Sequence, residues 1–439
     1  MESMEEVLVS IWCITYNHEQ YIRDALESFL EQETDFRYEI VVHDDASTDN
    51  TARIIKEFEE KYPKLIHGIY QTENQTSRNG TDRKWIWAIQ AQHCKGKYIA
   101  LCDGDDFWSD SRKLQIQINY MEKYPECVLT AHDAVLMNIE KGEAKVMQPY
   151  DGDRDISADE IIMQYHGMLP ASSMVFQKKA LAADFHQYFL GAGIGDYPLQ
   201  LWMMTRGRVH YFDRVMSVYR YMHKGSWNQR VAADIKHIAA HTVQMIYFLK
   251  EFDKYTEGKY QSSIMKRIEK YEKSMLLQYC QYFPLTLFKK RCDEYDRENN
   301  GRYHEELEGV MKQFSCMFPA QECGWMEDIR QFHQKYRYIY IMGAGTFGAA
   351  MAGQMKYNSL DFEGFTVSGQ VGKENVYLGK PVWGLGGMPH PLEETGIIIG
   401  MNLEKWPDAI ENLKKAGIKN YLIPEMLESL MNLANIVPV

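Results

Sequence analysis

Between Val7 and His132, short apolar runs of strand length alternate with stretches of helical period, and this alternation constrains the fold most. "VLVSIWCI" (Val7–Ile14) is apolar and β-branched. Ile22, Ala25, Leu26, Phe29 and Leu30 then recur at helical spacing. "YEIVVHD" is a second buried strand. Ser47 or Thr48 is expected to cap the helix that follows, with Ala52, Ile55 and Phe58 on its inner face. "LIHGIY" (Leu65–Tyr70), "KYIALCD" and "CVLTAH" (Cys127–His132) complete five strands. Strands separated by helices imply βαβ units and a mostly parallel sheet flanked by helices, an α/β fold. In such sheets ligands bind beyond the carboxyl ends of the strands.

Acidic residues stand at two of those ends. Asp44 and Asp45 follow the second strand; Asp103, Asp105 and Asp106 follow the fourth, in "YIALCDGDDFW". Like charges so close repel, and desolvating them costs more, so a positive partner is expected. A calcium loop of EF-hand type needs Gly at its sixth position and Glu at its twelfth. Counted from Asp103 these are Trp108 and Leu114, which excludes it. A strand-end D-x-D remains, suited to a divalent cation, Mn²⁺ or Mg²⁺, that also takes diphosphate oxygens.

The pattern changes near residue 230. "VAADIKHIAAHTVQMIYFLKEF" and the segments up to Tyr336 are helical in period, and the βαβ pattern returns with "YIYIMGAGTFGAAMAGQM". The expected organisation is residues 1–230, a helical middle segment at 231–335, and a small α/β domain at 336–439, whose "YLGKPVWGL" and "GIIIGMN" resemble small Rossmann-like domains. Gly343, Gly345 and Gly348 form G-x-G-x-x-G between a strand and a helix. A dinucleotide site also calls for an acid at the end of the next strand, and Ser368 stands near there, which disfavours NAD. A turn needed for close helix–strand packing and a nucleotide or sugar-nucleotide loop are left as equal readings.

The 49 basic and 61 acidic residues give a formal net charge of -12, so no basic surplus serves a general nucleic-acid binder. No apolar stretch reaches the length of a membrane span, and "MESMEEVLVS" lacks the form of a secretory signal. Eight scattered cysteines without a C-x-x-C pair suit a reducing compartment. The expected location is cytoplasmic, with room for association at the inner membrane face.

"VSIWCITYNHEQYIRDALESFLEQ", "EIVVHDDASTDNT", "GKYIALCDGDDFWSDSRKLQIQ", "PASSMVFQKKAL", "GIGDYPLQLWM" and "VMSVYRYMHKGSW" occur in order over residues 6–228. Together they resemble the family-two inverting glycosyltransferases of GT-A fold. The resemblance implies a nucleotide-sugar donor, expected to be UDP-linked. It implies that Thr15, Tyr16 and Asn17 line the base and ribose pocket and that Asp44 or Asp45 binds base or ribose. Asp103 would contact ribose or metal, Asp105 and His223 the metal, and Arg220 the diphosphate; Asp196 in "GDY" matches the general base. Two departures stand out: Gly195 replaces a common Glu, and "HDDAS" replaces the commoner "DDGS". Processive relatives carry Q-x-x-R-W and membrane helices, and neither is present here. The expected function is a non-processive inverting transfer to a glycan or lipid-linked glycan acceptor in polysaccharide biosynthesis. The rivals are a non-catalytic sugar-nucleotide-binding or assembly protein, against which intact Asp103, Asp105 and Asp196 count, and a nicotinamide enzyme using the C-terminal loop.

Smaller features carry less. His237 and His241 stand four apart on a helix, but H-E-x-x-H lacks its Glu, so a solvated or partly packed helix face is expected. Trp108 and Trp227 are the candidates for sugar stacking, whereas Trp85 and Trp87 are expected to pack or to bracket the donor loop.

Overall fold

The computed structural model describes residues 6–79, 84–164, 169–181, 185, 194–226, 228–229, 235–282, 293–294, 296–298, 300–309, 324–369, 375–401 and 405–424. The chain divides into two compact units, one of Met1–His237 with Gln244–Ile268 and one of Ile238–Val243 with Glu269–Val439.

The first unit opens with β1 (Val9–Thr15), α1 (Ile22–Leu30), β2 (Tyr38–Asp44), α2 (Thr51–Lys61), β3 (Ile66–Tyr70), α3 (Gln75–Asn79), α4 (Lys84–His93) and β4 (Tyr98–Leu101). It continues with β5 (Phe107–Trp108), α5 (Lys113–Lys123), β6 (Cys127–Asn138), β7 (Glu143–Met147), β8 (Arg154–Asp155), α6 (Ala158–Met163), β9 (Val175–Gln177), α7 (Asp196–Arg206) and β10 (Arg208–Tyr221). The sheet runs β3-β2-β1-β4-β9-β6-β10-β5, with β7 on β6 and β8 on β10. β3, β2, β1 and β4 are mutually parallel, as are β6 and β10, whereas β9 is antiparallel to β4 and β6, and β5 to β10.

Alternation along β1 sends Val9, Ile11 and Cys13 to one face, where they meet Ile22, Leu26 and Phe29 of α1 and Ile55 and Phe58 of α2. Each such aliphatic or aromatic side chain contributes about 1.5–3 kcal/mol on full burial. Helix α2 starts differently from the sequence expectation. Its N-cap is Asn50, and Asp49 Oδ1 accepts from Thr51 N at 2.9 Å. Ser47 and Thr48 are engaged elsewhere, with Asp44 and Asn17, so neither caps the helix.

Helices α8 (Ile235–Tyr255), α9 (Gln261–Tyr282) and α10 (Gly324–Lys335) follow. The second unit's sheet comprises β11 (Tyr338–Met342), β12 (Gly364–Val367), β13 (Val376–Tyr377), β14 (Lys380–Gly384), β15 (Thr395–Ile399) and β16 (Tyr421–Leu422), with α11 (Thr346–Tyr357) after β11 and α12 (Trp406–Lys415) after β15. Its order is β13-β14-β12-β11-β15-β16, and only β13 is antiparallel to its neighbour. Tyr340, Met342, Ile397, Ile399 and Leu413 form its core.

Candidate active site

Parallel register brings the first acidic strand end level with β1, since Thr15 pairs with Asp44. On the other side of β1, Trp12 pairs with Leu101, and the chain after β4 then crosses toward the end of β1. Gly104 makes that crossing: its N–H donates to Ile14 O at 2.8 Å, and a Cβ there would lie 2.8 Å from the Thr15 side chain. The turn is closed by Asp106 N donating to Asp103 O at 3.0 Å.

Asp105 lies at the centre of the cluster. Its Oδ2 is 2.8 Å from His223 Nε2, across 118 positions of sequence, and 3.7 Å from His18 Nε2. Burial by itself pushes the Asp105 carboxyl up, but the charge interaction with His18 and the His223 hydrogen bond outweigh it and hold it below the ordinary range. Burial lowers the His18 imidazole, against the pull of the Asp105 charge, and its buried Nδ1 has no hydrogen-bond partner. Arg220 Nη1 donates to Asp105 O at 3.1 Å, Nη2 pairs with Asp24, and the guanidinium lies over the rings of Phe107 and Tyr21 at 4.5 and 5.2 Å. Asp103 is half-buried, and its charge reaches Asp106 and the Cys13 thiol.

Asp196 is the first residue of α7, half-buried, and its Oδ1 accepts from Tyr197 N at 2.9 Å. Burial pushes its carboxyl up, against the pull of that backbone bond. Tyr219 connects it to the strand-end cluster: burial raises the phenol, and the charges of Asp106, Asp196 and Asp105 all add to the shift.

On the other flank, the loops after β1 and β2 brace each other. Asn17, at φ +56°, donates its N–H to Ser47 Oγ at 2.9 Å and accepts from Thr48 N at 2.8 Å through Oδ1. Asp44 is buried, accepts from both the N–H and the hydroxyl of Ser47, and is pushed up by burial. Asp45 uses both carboxylate oxygens on the start of α3, accepting from Gln75 N at 2.6 Å and Thr76 N at 3.0 Å. Thr15 Oγ1 is buried without a partner, and Tyr16 is exposed. Ala46, where the commoner motif has Gly, sits at φ +61°, a conformation costing an L-residue about 1–2 kcal/mol.

Trp108 departs from its expected role as a sugar platform. It is 3% exposed, packs on Phe29, and donates Nε1–H to Ser172 O at 3.0 Å, because β5 pairs with β10 and turns the indole inward. Trp227 and the side chains of Trp87 and His237 lie outside the described residues. Trp85 packs edge-on against His43.

In the second unit, Gly343 takes φ +116°, and a Cβ on Gly348 would fall 1.8 Å from Gly343 O, so both glycines are required by close backbone packing. Gly345 is exposed, with open space where a Cβ would stand. The strand after the loop ends at Val367, followed by Ser368.

His18, Tyr21, Asp24 and Tyr219 join the site without having been singled out in the sequence, and Asp106, read there only as part of the acidic cluster, joins them. His18 had a usable signal, a histidine three residues past the end of β1. Asp24 and Tyr219 had none, because a helix-face acid and a strand tyrosine are common. Among the described residues no group of three or more His, Cys, Asp or Glu is arranged to hold a metal ion. The donor set at Asp105 still fits a divalent cation. The Asp105 carboxylate oxygen lies 2.8 Å from His223 Nε2 and 3.7 Å from His18 Nε2, donor types that such an ion accepts, and diphosphate oxygens or water would complete its shell.

The family description "Glycosyl transferase family 2" matches residues 10–169. An uncharacterized protein of Mycobacterium tuberculosis (strain ATCC 25618 / H37Rv) is 31% identical over 220 residues, 50% of this chain and 60% of that protein. The Escherichia coli UDP-Glc:alpha-D-GlcNAc-diphosphoundecaprenol beta-1,3-glucosyltransferase WfgD is 34% identical over 120 residues, 27% of this chain and 43% of that enzyme. The chain thus spans 60% or less of the length of these relatives. Among solved structures, a Pyrobaculum calidifontis mannosyltransferase in complex with GDP-Man and Mn2+ aligns with 70% of this chain and 86% of its own, at 14% identity and a TM-score of 0.40.

Proposed function

We propose that this chain, whose residues 10–169 match the description "Glycosyl transferase family 2", is a glycosyltransferase of GT-A fold that moves a sugar from a nucleotide-sugar donor to an acceptor hydroxyl with inversion. The observation that carries the reading is the meeting of Asp105 with His223, two blocks far apart in sequence that share one carboxylate oxygen's surroundings. Asp105 and His223 would hold a divalent cation, with His18 beside them. When bound, such an ion supplies Lewis-acid stabilisation of the departing diphosphate. Arg220 adds a positive charge fixed in place by Asp24 and two aromatic rings. Thr15, Tyr16, Asn17 and Asp44 would line the nucleoside side, with Asp45 supporting it through α3, and Asp103 would contact ribose or cation.

Asp196 is the general base. It takes the proton from the acceptor hydroxyl as that oxygen bonds to the anomeric carbon. The bond from that carbon to the diphosphate breaks, and its electron pair leaves with the diphosphate. One carboxylate suffices, because the leaving group needs no proton from a second acid. A UDP-linked donor and a lipid-linked glycan acceptor are the finer reading, supported by the name of the E. coli relative. An acceptor of that kind would be met at the inner face of the membrane; no described helix is long and apolar enough to cross one. For the second unit, Gly343 and Gly348 are accounted for by packing alone, and a nucleotide or sugar-nucleotide ligand at the loop is the alternative reading, with Gly345 exposed beside it.

A screen of nucleotide sugars by thermal unfolding, with and without Mn²⁺, tests the reading. A donor that binds the folded chain raises its midpoint with concentration. The expected result is one donor class whose shift requires Mn²⁺ and disappears in Asp105→Ala. No shift from any nucleotide sugar at millimolar concentration overturns it.

A further inference from the structure

We infer that Asp106 is a positioning residue that holds the Asp105–His223 pair together from behind, without touching donor or acceptor. This rests on the cation-dependent transferase reading above. Asp106 is 1% exposed, so its carboxylate is beyond the reach of a ligand in the cleft. Its Oδ1 accepts from Arg220 N at 2.9 Å. The pairing of β5 with β10 covers Phe107↔Val218 and Trp108↔Ser217 and goes no further. The Asp106 side chain therefore continues the attachment where the backbone ladder stops. Its carboxylate also bonds the Ser172 side chain, whose hydroxyl lies 3.2 Å from Ser217 Oγ, so the anchor reaches back to β10.

The consequence follows from chain order. Asp105 immediately precedes Asp106. Just past Arg220, the chain turns at Met222, a non-glycine residue at φ +59°, and His223 then faces Asp105 at 2.8 Å. A left-handed turn in a side-chain-bearing residue persists only where the surroundings over-determine it. The bond from Arg220 N to Asp106 fixes the near end of that turn. Releasing it frees both the carboxylate and the imidazole from their shared position while leaving the strands intact.

Mn²⁺ binding to the full chain, followed by electron paramagnetic resonance without any sugar nucleotide, reads this directly. Asp106→Ala should weaken Mn²⁺ binding about tenfold or more, the scale at which outer-shell partners act on metal affinity. Asp106→Asn keeps an oxygen for Arg220 N and should stay within about threefold of wild type. Ser172→Ala, which loosens the anchor and not the ladder, should fall between them, and it keeps the inference testable if Asp106→Ala does not fold. Weakening as large in Asp106→Asn as in Asp106→Ala would make the charge itself the active feature and overturn the positioning role. Wild-type affinity in both Asp106→Ala and Ser172→Ala would overturn it equally. Absence of Mn²⁺ binding by the wild-type chain would instead strike the underlying reading, and this inference with it.

Discussion

Asp196 carries the sharpest prediction at the scale of single residues. Its carboxyl is raised by burial, and the general base we propose it to be must be deprotonated to work. Turnover should therefore fall on the acid side at a pH above the ordinary carboxylate value of about 4. Asp196→Asn keeps the oxygen that accepts from Tyr197 N, so the start of α7 survives. Turnover should drop about 10²-fold or more and the acid limb should vanish, with the donor dissociation constant near wild type. A tenfold weaker donor with unchanged turnover would move Asp196 into donor binding. The neighbouring carboxylates show why residue type alone does not assign a role. Asp44 and Asp45 are adjacent in sequence, yet one is held by Ser47 and the other by the first amides of α3.

At the scale of elements, α5 begins with a lysine that the fold buries completely. Lys113 is 0% exposed, donates to Gln117 Oε1 at 2.8 Å and lies over the Trp108 ring at 4.2 Å. Desolvation lowers its ammonium to about 7. In the unfolded chain the group titrates near about 10.4. Between those values the unfolded state holds one more proton than the folded state, so this group makes stability rise with pH, by up to about 1.4 kcal/mol per unit. Below about 7 both states are protonated and the folded state bears the whole cost of the buried charge. Lys113→Met removes that term. Urea unfolding should find the variant gaining most on wild type at pH 7, with the gap closing as pH approaches 10. A gap that does not change with pH would show that Lys113 is not desolvated in solution.

For the whole molecule, the candidate catalytic residues all precede residue 230, and we propose that the sheet from β11 onward is dispensable for donor chemistry. A chain ending before Tyr338 should retain Mn²⁺-dependent donor hydrolysis within about tenfold of the full chain, because it keeps every residue proposed to touch the reacting atoms. Hydrolysis assays on the folded truncation check this. Complete loss would mean that the second unit completes the active site.

Periodicity and composition determined the βαβ plan, the carboxyl-end location of both acidic clusters and the return of the pattern after Tyr336. These are local properties: a β-branched run bounded by turn residues, or apolar residues at helical spacing, carries its own signal. Strand β10 did not read out as a strand, because its Arg208–Tyr221 run mixes buried and half-buried positions and shifts register against β6. The insertion of antiparallel β9 between β4 and β6 was equally silent, being a choice of partner and not of conformation. Tertiary structure alone decided that Trp108 faces the core, that Asp45 serves α3, and that Asp105 meets His18 and His223. Each of those outcomes depends on which backbones lie side by side and in what register. Pairing energy between distant segments sets that, and no window of sequence contains both partners.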